Sequence, residues 1–158
     1  MDVNHGNVAY CRKRFRRNDV QVWRNSGLDY YPVPASSITA IFCYDAMVHF
    51  EYDCVISYLY DTTRVLRIGG KALFHHSNYA APGSYWAHNP HSRNFMTKDL
   101  FAHIAQRAGL DVVQQQLLDW GEGPARVEAI DCLTLLQKTR PTPSRTRNLL
   151  RHVVARLP

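Results

Sequence analysis

Histidines and aromatic residues gather between positions 49 and 91. His49 follows an apolar run, His75 and His76 are adjacent, and His88 and His91 share a stretch with Tyr79, Tyr85 and Trp86. Histidine exchanges protons near neutral pH, so one placed at a cleft suits a general base that deprotonates an attacking hydroxyl or amine. His75 and His76 end a strand-like run, where neighbouring side chains point to opposite faces. Only one of them can face a cleft, and the pair cannot chelate one metal. His76 is the expected base, because Ser77, Asn78 and Tyr79 continue from it into the aromatic stretch. His49 is the second candidate, with a helix-capping structural histidine as its plainer reading. The rings of Tyr79, Tyr85 and Trp86 suit a sugar or a flat acceptor, and equally suit a packed lid.

These residues need a frame, and the hydrophobic pattern predicts one. A helix is expected over 7–15, with Val8, Cys11 and Phe15 at helical spacing, and a short strand over 20–23. Asp2-Val3-Asn4 reads as the end of a strand. Pro32 and Pro34 hold the next stretch in a loop. The run Ile38–Tyr44 reads as a strand buried on both faces. A helix over 51–66 carries Val55, Tyr58, Leu59, Val65 and Leu66 on one stripe, Gly69-Gly70 ends it, and Lys71–His75 forms the next buried strand. Residues 77–94 form a loop too long to be a mere connection. Thr97 caps a helix reaching Arg107 and closed by Ala108-Gly109. Strands over 110–118 and 128–137, joined by a turn at Gly121–Pro124, can pair as a hairpin. Strands alternating with helices predict a three-layer α/β sandwich, mostly parallel and ending in an antiparallel hairpin.

The chain has 158 residues, 46% hydrophobic and 20% charged, enough for one domain with its own core. Collagen, coiled coil and wholesale disorder are excluded by composition, and no apolar run is long enough to span a membrane. Four scattered cysteines and no signal peptide point to a cytoplasmic protein with reduced, buried thiols. Charge is uneven: residues 1–27 hold six Lys/Arg against two acids, residues 138–158 hold six and none, and the middle is mildly acidic. The domain is expected to occupy 1–138. Residues 139–158 form a basic tail with a short helix over 146–157. The basic ends admit nucleic acid, but a solvated helical appendage is the plainer reading, so nucleic acid is not the expected partner.

The series Ile38–Phe50, then Arg64-Val65-Leu66-Arg67-Ile68-Gly69-Gly70, then Lys71–Tyr79 resembles the second half of a class I S-adenosylmethionine-dependent methyltransferase. In that family a fourth strand leads to a histidine segment, and a helix then ends in an "RvLkpGG" turn before a fifth strand. The resemblance covers about residues 1–138 and implies a Rossmann-like fold with S-adenosyl-L-methionine as cofactor. It puts Asp2 at the acid that binds the ribose hydroxyls, a pairing that suits a carboxylate. It puts Asn25, Ser26, Gly27 and Leu28 in the loop that contacts adenine, although the family commonly has Asp where Ser26 stands. Tyr44 and Asp45 fall where the methionine end is held, apt for a cationic sulfonium. Tyr79, Tyr85 and Trp86 fall in the acceptor loop.

The family's glycine-rich loop after its first strand belongs before Asp2 and is not in this sequence. The resemblance therefore implies an N-terminally incomplete methyltransferase, a fragment or an internal start, with impaired cofactor binding in this form. The expected activity is methyl transfer to a hydroxyl or amine of a small molecule or glycan, without a metal. The alternative is a non-catalytic remnant that binds a partner.

Overall fold

The computed structural model describes residues 1–16, 19–80, 83 and 85–142. The tail helix expected over 146–157 lies outside them. The element order is α1 (His5–Arg14), β1 (Ile38–Cys43), α2 (Tyr52–Val65), β2 (Leu66–Ser77), α3 (Lys98–Ala108), β3 (Asp111–Trp120) and β4 (Val127–Gln137), with short 3-10 turns between. The sheet runs in the order β1-β2-β4-β3. β1 and β2 are parallel; β4 is antiparallel to both its neighbours. The α/β class and the terminal hairpin are as expected.

The helices begin and end where side chains satisfy their free backbone groups. Asn4 Oδ1 accepts from the backbone of Gly6 and Asn7 at the start of α1, and Thr97 Oγ1 accepts from Leu100 at the start of α3. Gly109, at φ 96°, ends α3 in the left-handed conformation. At the end of α2 the buried Lys138 ammonium donates to Thr63 O (2.6 Å) and Leu66 O (2.8 Å). A cation suits the negative pole of that helix.

α2 and α3 pack on one face of the sheet. There Val55, Leu59, Phe101, Ile104 and Ala105 meet Ala72, Phe74 and Leu136 in the main core. On the opposite face Leu73, Leu133 and Leu135 are only partly covered.

Four local expectations are corrected. Gly69-Gly70 does not stop α2. The helix ends at Val65 and both glycines lie inside β2, where two steps along β1 (Ile38 to Ala40) match five along β2 (Leu66 to Lys71). Gly69 takes φ 84°, and a Cβ on Gly70 would lie 2.9 Å from Arg67 O and 3.2 Å from Thr39 O. One glycine supplies the left-handed bend and the other the close approach of β1. Second, β1 is not buried on both faces: it pairs only with β2 among the described residues, and Phe42 is 72% exposed. Third, no strand forms over 20–23. A single parallel bridge joins Asp2 to Arg24, and so short a pairing does not propagate on its own. Fourth, of the four free cysteines only Cys132 is buried; Cys11, Cys43 and Cys54 are partly exposed.

Candidate active site

A cavity of about 630 Å³ opens between the Asp2–Arg24 bridge and the carboxyl end of β1, lined by Asp2, Asn25, Gly27, Cys43, Met47 and His49 among others. Ligands in open α/β sheets bind at this edge. Asp2 accepts from Asn4 N (2.7 Å) and from Asn7 Nδ2 (3.0 Å). These bonds hold its carboxyl below the ordinary value, so it is ionised at neutral pH. Two oxygens with two lone pairs each leave room for further donors. Gly27 has φ 86°, and a Cβ there would stand 3.0 Å from Val3 Cγ1.

Asn25 opens the loop expected to contact adenine, and it lines the cavity. Its Nδ2 donates to Asp29 O (2.9 Å) and Tyr58 OH (2.8 Å), while its buried Oδ1 has no hydrogen-bond partner. Burial pushes the Tyr58 phenol up to about 12, which keeps it neutral. A buried, unused acceptor carries a desolvation penalty of about 1–3 kcal/mol unless a ligand or water donates to it. Ser26, next in sequence, is exposed and accepts from its own turn at Leu28 N. Leu28 is partly buried and does not line the cavity.

His49 reaches the cavity from the 3-10 turn Met47–His49. Its Nδ1 lies 2.8 Å from Ser92 O. A carbonyl can only accept, so Nδ1 carries the proton and Nε2 is left as the basic nitrogen. Trp86 stands 6.2 Å from the His49 ring, and Tyr85 packs on Trp86 at 5.8 Å. Tyr79 sits at the base of the loop, bridged to Phe95.

The expectation for His76 is corrected. His76 is fully buried on the α3 side, stacked on Phe101 at 3.7 Å, with Nε2 2.8 Å from Thr134 Oγ1 and Nδ1 2.8 Å from Ser77 O. Burial lowers its pKa to about 4. The alternation of β2 decides this: His75 takes the opposite face and His76 the core.

His75 belongs to a buried cluster beside the site. Its Nδ1 accepts from Asp45 N (3.1 Å), and its Nε2 lies 3.1 Å from Asp131 Oδ2 but outside hydrogen-bond geometry. Arg93 forks onto Asp131 through Nε (2.9 Å) and Nη2 (2.6 Å) and lies 4.8 Å over the Trp120 ring. Burial would raise the Asp131 carboxyl, but His75 and Arg93 outweigh it and the pKa falls below the ordinary value. Tyr44 packs on His75 at 4.6 Å, and Asp45, at φ 49°, lies 3.6 Å from Arg93 Nη2. Neither Tyr44 nor Asp45 lines the cavity. The sequence carried one signal for this cluster: an aspartate inside the apolar run Ile130–Leu136, which needs a partner when buried.

No family model matches the chain, and no curated protein matches it in sequence. Solved structures do. A SAM-dependent methyltransferase from Methanosarcina mazei superposes with a TM-score of 0.60 at 9% identity, covering 87% of this chain and 79% of that one. Geranyl diphosphate methyltransferase in complex with SAM gives 0.65 at 13% identity, covering 87% and 66%. The cyclase SpnF gives 0.63 at 14% identity, covering 89% and 64%. Sheet order, crossover and terminal hairpin together give this chain the Rossmann-like fold of the class I S-adenosylmethionine-dependent methyltransferases.

Proposed function

We propose that the chain forms the cofactor and acceptor site of an S-adenosylmethionine-dependent methyltransferase acting on a hydroxyl or amine of a small molecule or glycan. The observation that carries this reading is the convergence of ionised Asp2, Asn25, Gly27 and His49 on one cavity at the carboxyl end of β1. Asp2 is suited to accept from a ribose diol, and the Asn25–Gly27 turn lies beside it on the wall where adenine would be held. When bound, S-adenosylmethionine supplies a methyl group already activated as a sulfonium. His49 Nε2 takes the acceptor's proton as its oxygen or nitrogen attacks. Trp86, 6.2 Å from the His49 ring, and Tyr85 behind it are the rings this reading offers to the acceptor, outside the cavity lining itself.

The reading includes a strand with a glycine-rich loop laid along the outer edge of β1. Its support is that this edge is unpaired among the described residues and that the cavity runs along it past Ala40, Ile41 and Phe42. The same open edge favours a second reading, a non-catalytic module that binds a partner strand. Turnover separates the two. His49→Asn in the whole protein should lower kcat by about 10²-fold or more while leaving S-adenosylhomocysteine affinity within twofold. A protein that neither binds S-adenosylhomocysteine nor transfers methyl groups is the binding module instead.

A further inference from the structure

We propose that Arg93 is a positioning residue for this site: paired with Asp131, it holds the turn that fixes the tautomer and direction of His49. The inference rests on the reading of His49 as the base. His91 and Ser92 both adopt left-handed backbone, at φ 50° and 55°, although neither is glycine. Such residues cost of order 1 kcal/mol or more each and persist only where their surroundings hold them. The surroundings here are specific. Arg93 Nη1 donates to His91 O (3.0 Å), its remaining donors fork onto Asp131 of β4, and Asn89 Nδ2 donates to Arg93 O (2.9 Å). The backbone of Asn94 then donates to Val48 O (3.0 Å), beside His49. The held turn presents Ser92 O to His49 Nδ1.

Arg93 is 2% exposed and Asp131 is wholly buried, so the pair is shielded from water and rigid. A buried pair of this kind is weak evidence for stability and better evidence for specifying an arrangement. Imidazole in water has two competing neutral tautomers, and the acceptor facing one nitrogen selects between them. Without the turn, His49 loses its selector and Nε2 no longer stays unprotonated.

The test is the ring nitrogen spectrum of the whole chain at pH 8.5, where imidazoles are neutral. His76 serves as an internal control, since its Nδ1 also faces a carbonyl, that of Ser77, without involving Arg93. In the wild type both rings should show the Nδ1-protonated form. In Arg93→Lys, which keeps the charge and loses the fork, His49 should shift to a mixture with at least tenfold more Nε2–H form, while His76 is unchanged. Asp131→Asn should reproduce the shift. Should His49 keep its tautomer in both variants, or His49 and His76 change together as in a general loosening, the proposal is overturned. S-adenosylhomocysteine titration of the same samples is independent: a tautomer shift without cofactor binding upholds the positioning role and removes the methyltransferase reading.

Discussion

His76 shows how one position along a strand changes a residue's chemistry. Neutral in the core, with a pKa near 4 against an ordinary 6.5, it binds fewer protons folded than unfolded between those values. Its contribution is complete above pH 6.5 and is lost as pH falls toward 4. Urea titrations at pH 7 and 4.5 should show the wild type losing about 2–3 kcal/mol more than His76→Gln across that interval. Equal losses in the two proteins would remove His76 as the cause. That a histidine lay at this sheet edge was legible in the sequence, and so was the fact that the pair splits between faces. Which face held the helices was not, because α2 and α3 could cover either face until the crossover was known. Asn25 was legible as part of the adenine loop, but its unpartnered Oδ1 was not: an acceptor is unpartnered only relative to neighbours, here Tyr58 and Asp29, that the fold brings to the amide's other end.

At the scale of the element, caps and turns were read well and irregular strands poorly. Thr97 and Gly109 bound α3 as their chemistry dictates. The Gly69-Gly70 pair has the composition of a helix stop, yet it serves a bulge inside β2, because the chain must absorb extra residues against β1. Gly69→Ala should cost about 1–2 kcal/mol through its left-handed backbone. Gly70→Ala should cost about 1–3 kcal/mol, since its new Cβ would press on the backbone of Arg67 and Thr39 rather than on side chains that can move. Thermal melts of the two variants check both figures; a neutral Gly70→Ala would mean that the β1–β2 contact is looser than described. Lys138→Met should cost about 1–3 kcal/mol by leaving the carbonyls of Thr63 and Leu66 without their buried donor. Amide exchange in the last turn of α2 should quicken with it, and unchanged exchange there would refute the capping role.

For the molecule as a whole, the hydrophobic alternation foretold the class of fold and the terminal hairpin. It did not foretell the exposed face of β1. A run such as Ile-Thr-Ala-Ile-Phe-Cys reads as a strand covered on both faces, whereas Phe42 lies 72% exposed beside an open cavity. That mismatch is informative: apolar residues at an unpaired sheet edge are a template for another strand. No helix among the described residues is long and apolar enough to cross a membrane. The proposed cofactor site of Asp2, Asn25 and His49 lies beside an edge of β1 that is unpaired among the described residues. The 158-residue chain is expected to bind S-adenosylhomocysteine, but weakly. The most direct measurement is an amide-resolved NMR titration of the chain with S-adenosylhomocysteine to millimolar concentration. The account predicts a saturable response with a millimolar Kd, centred on Asp2, Asn25, Gly27 and residues 46–49. No response there, or one centred on another surface, would contradict it.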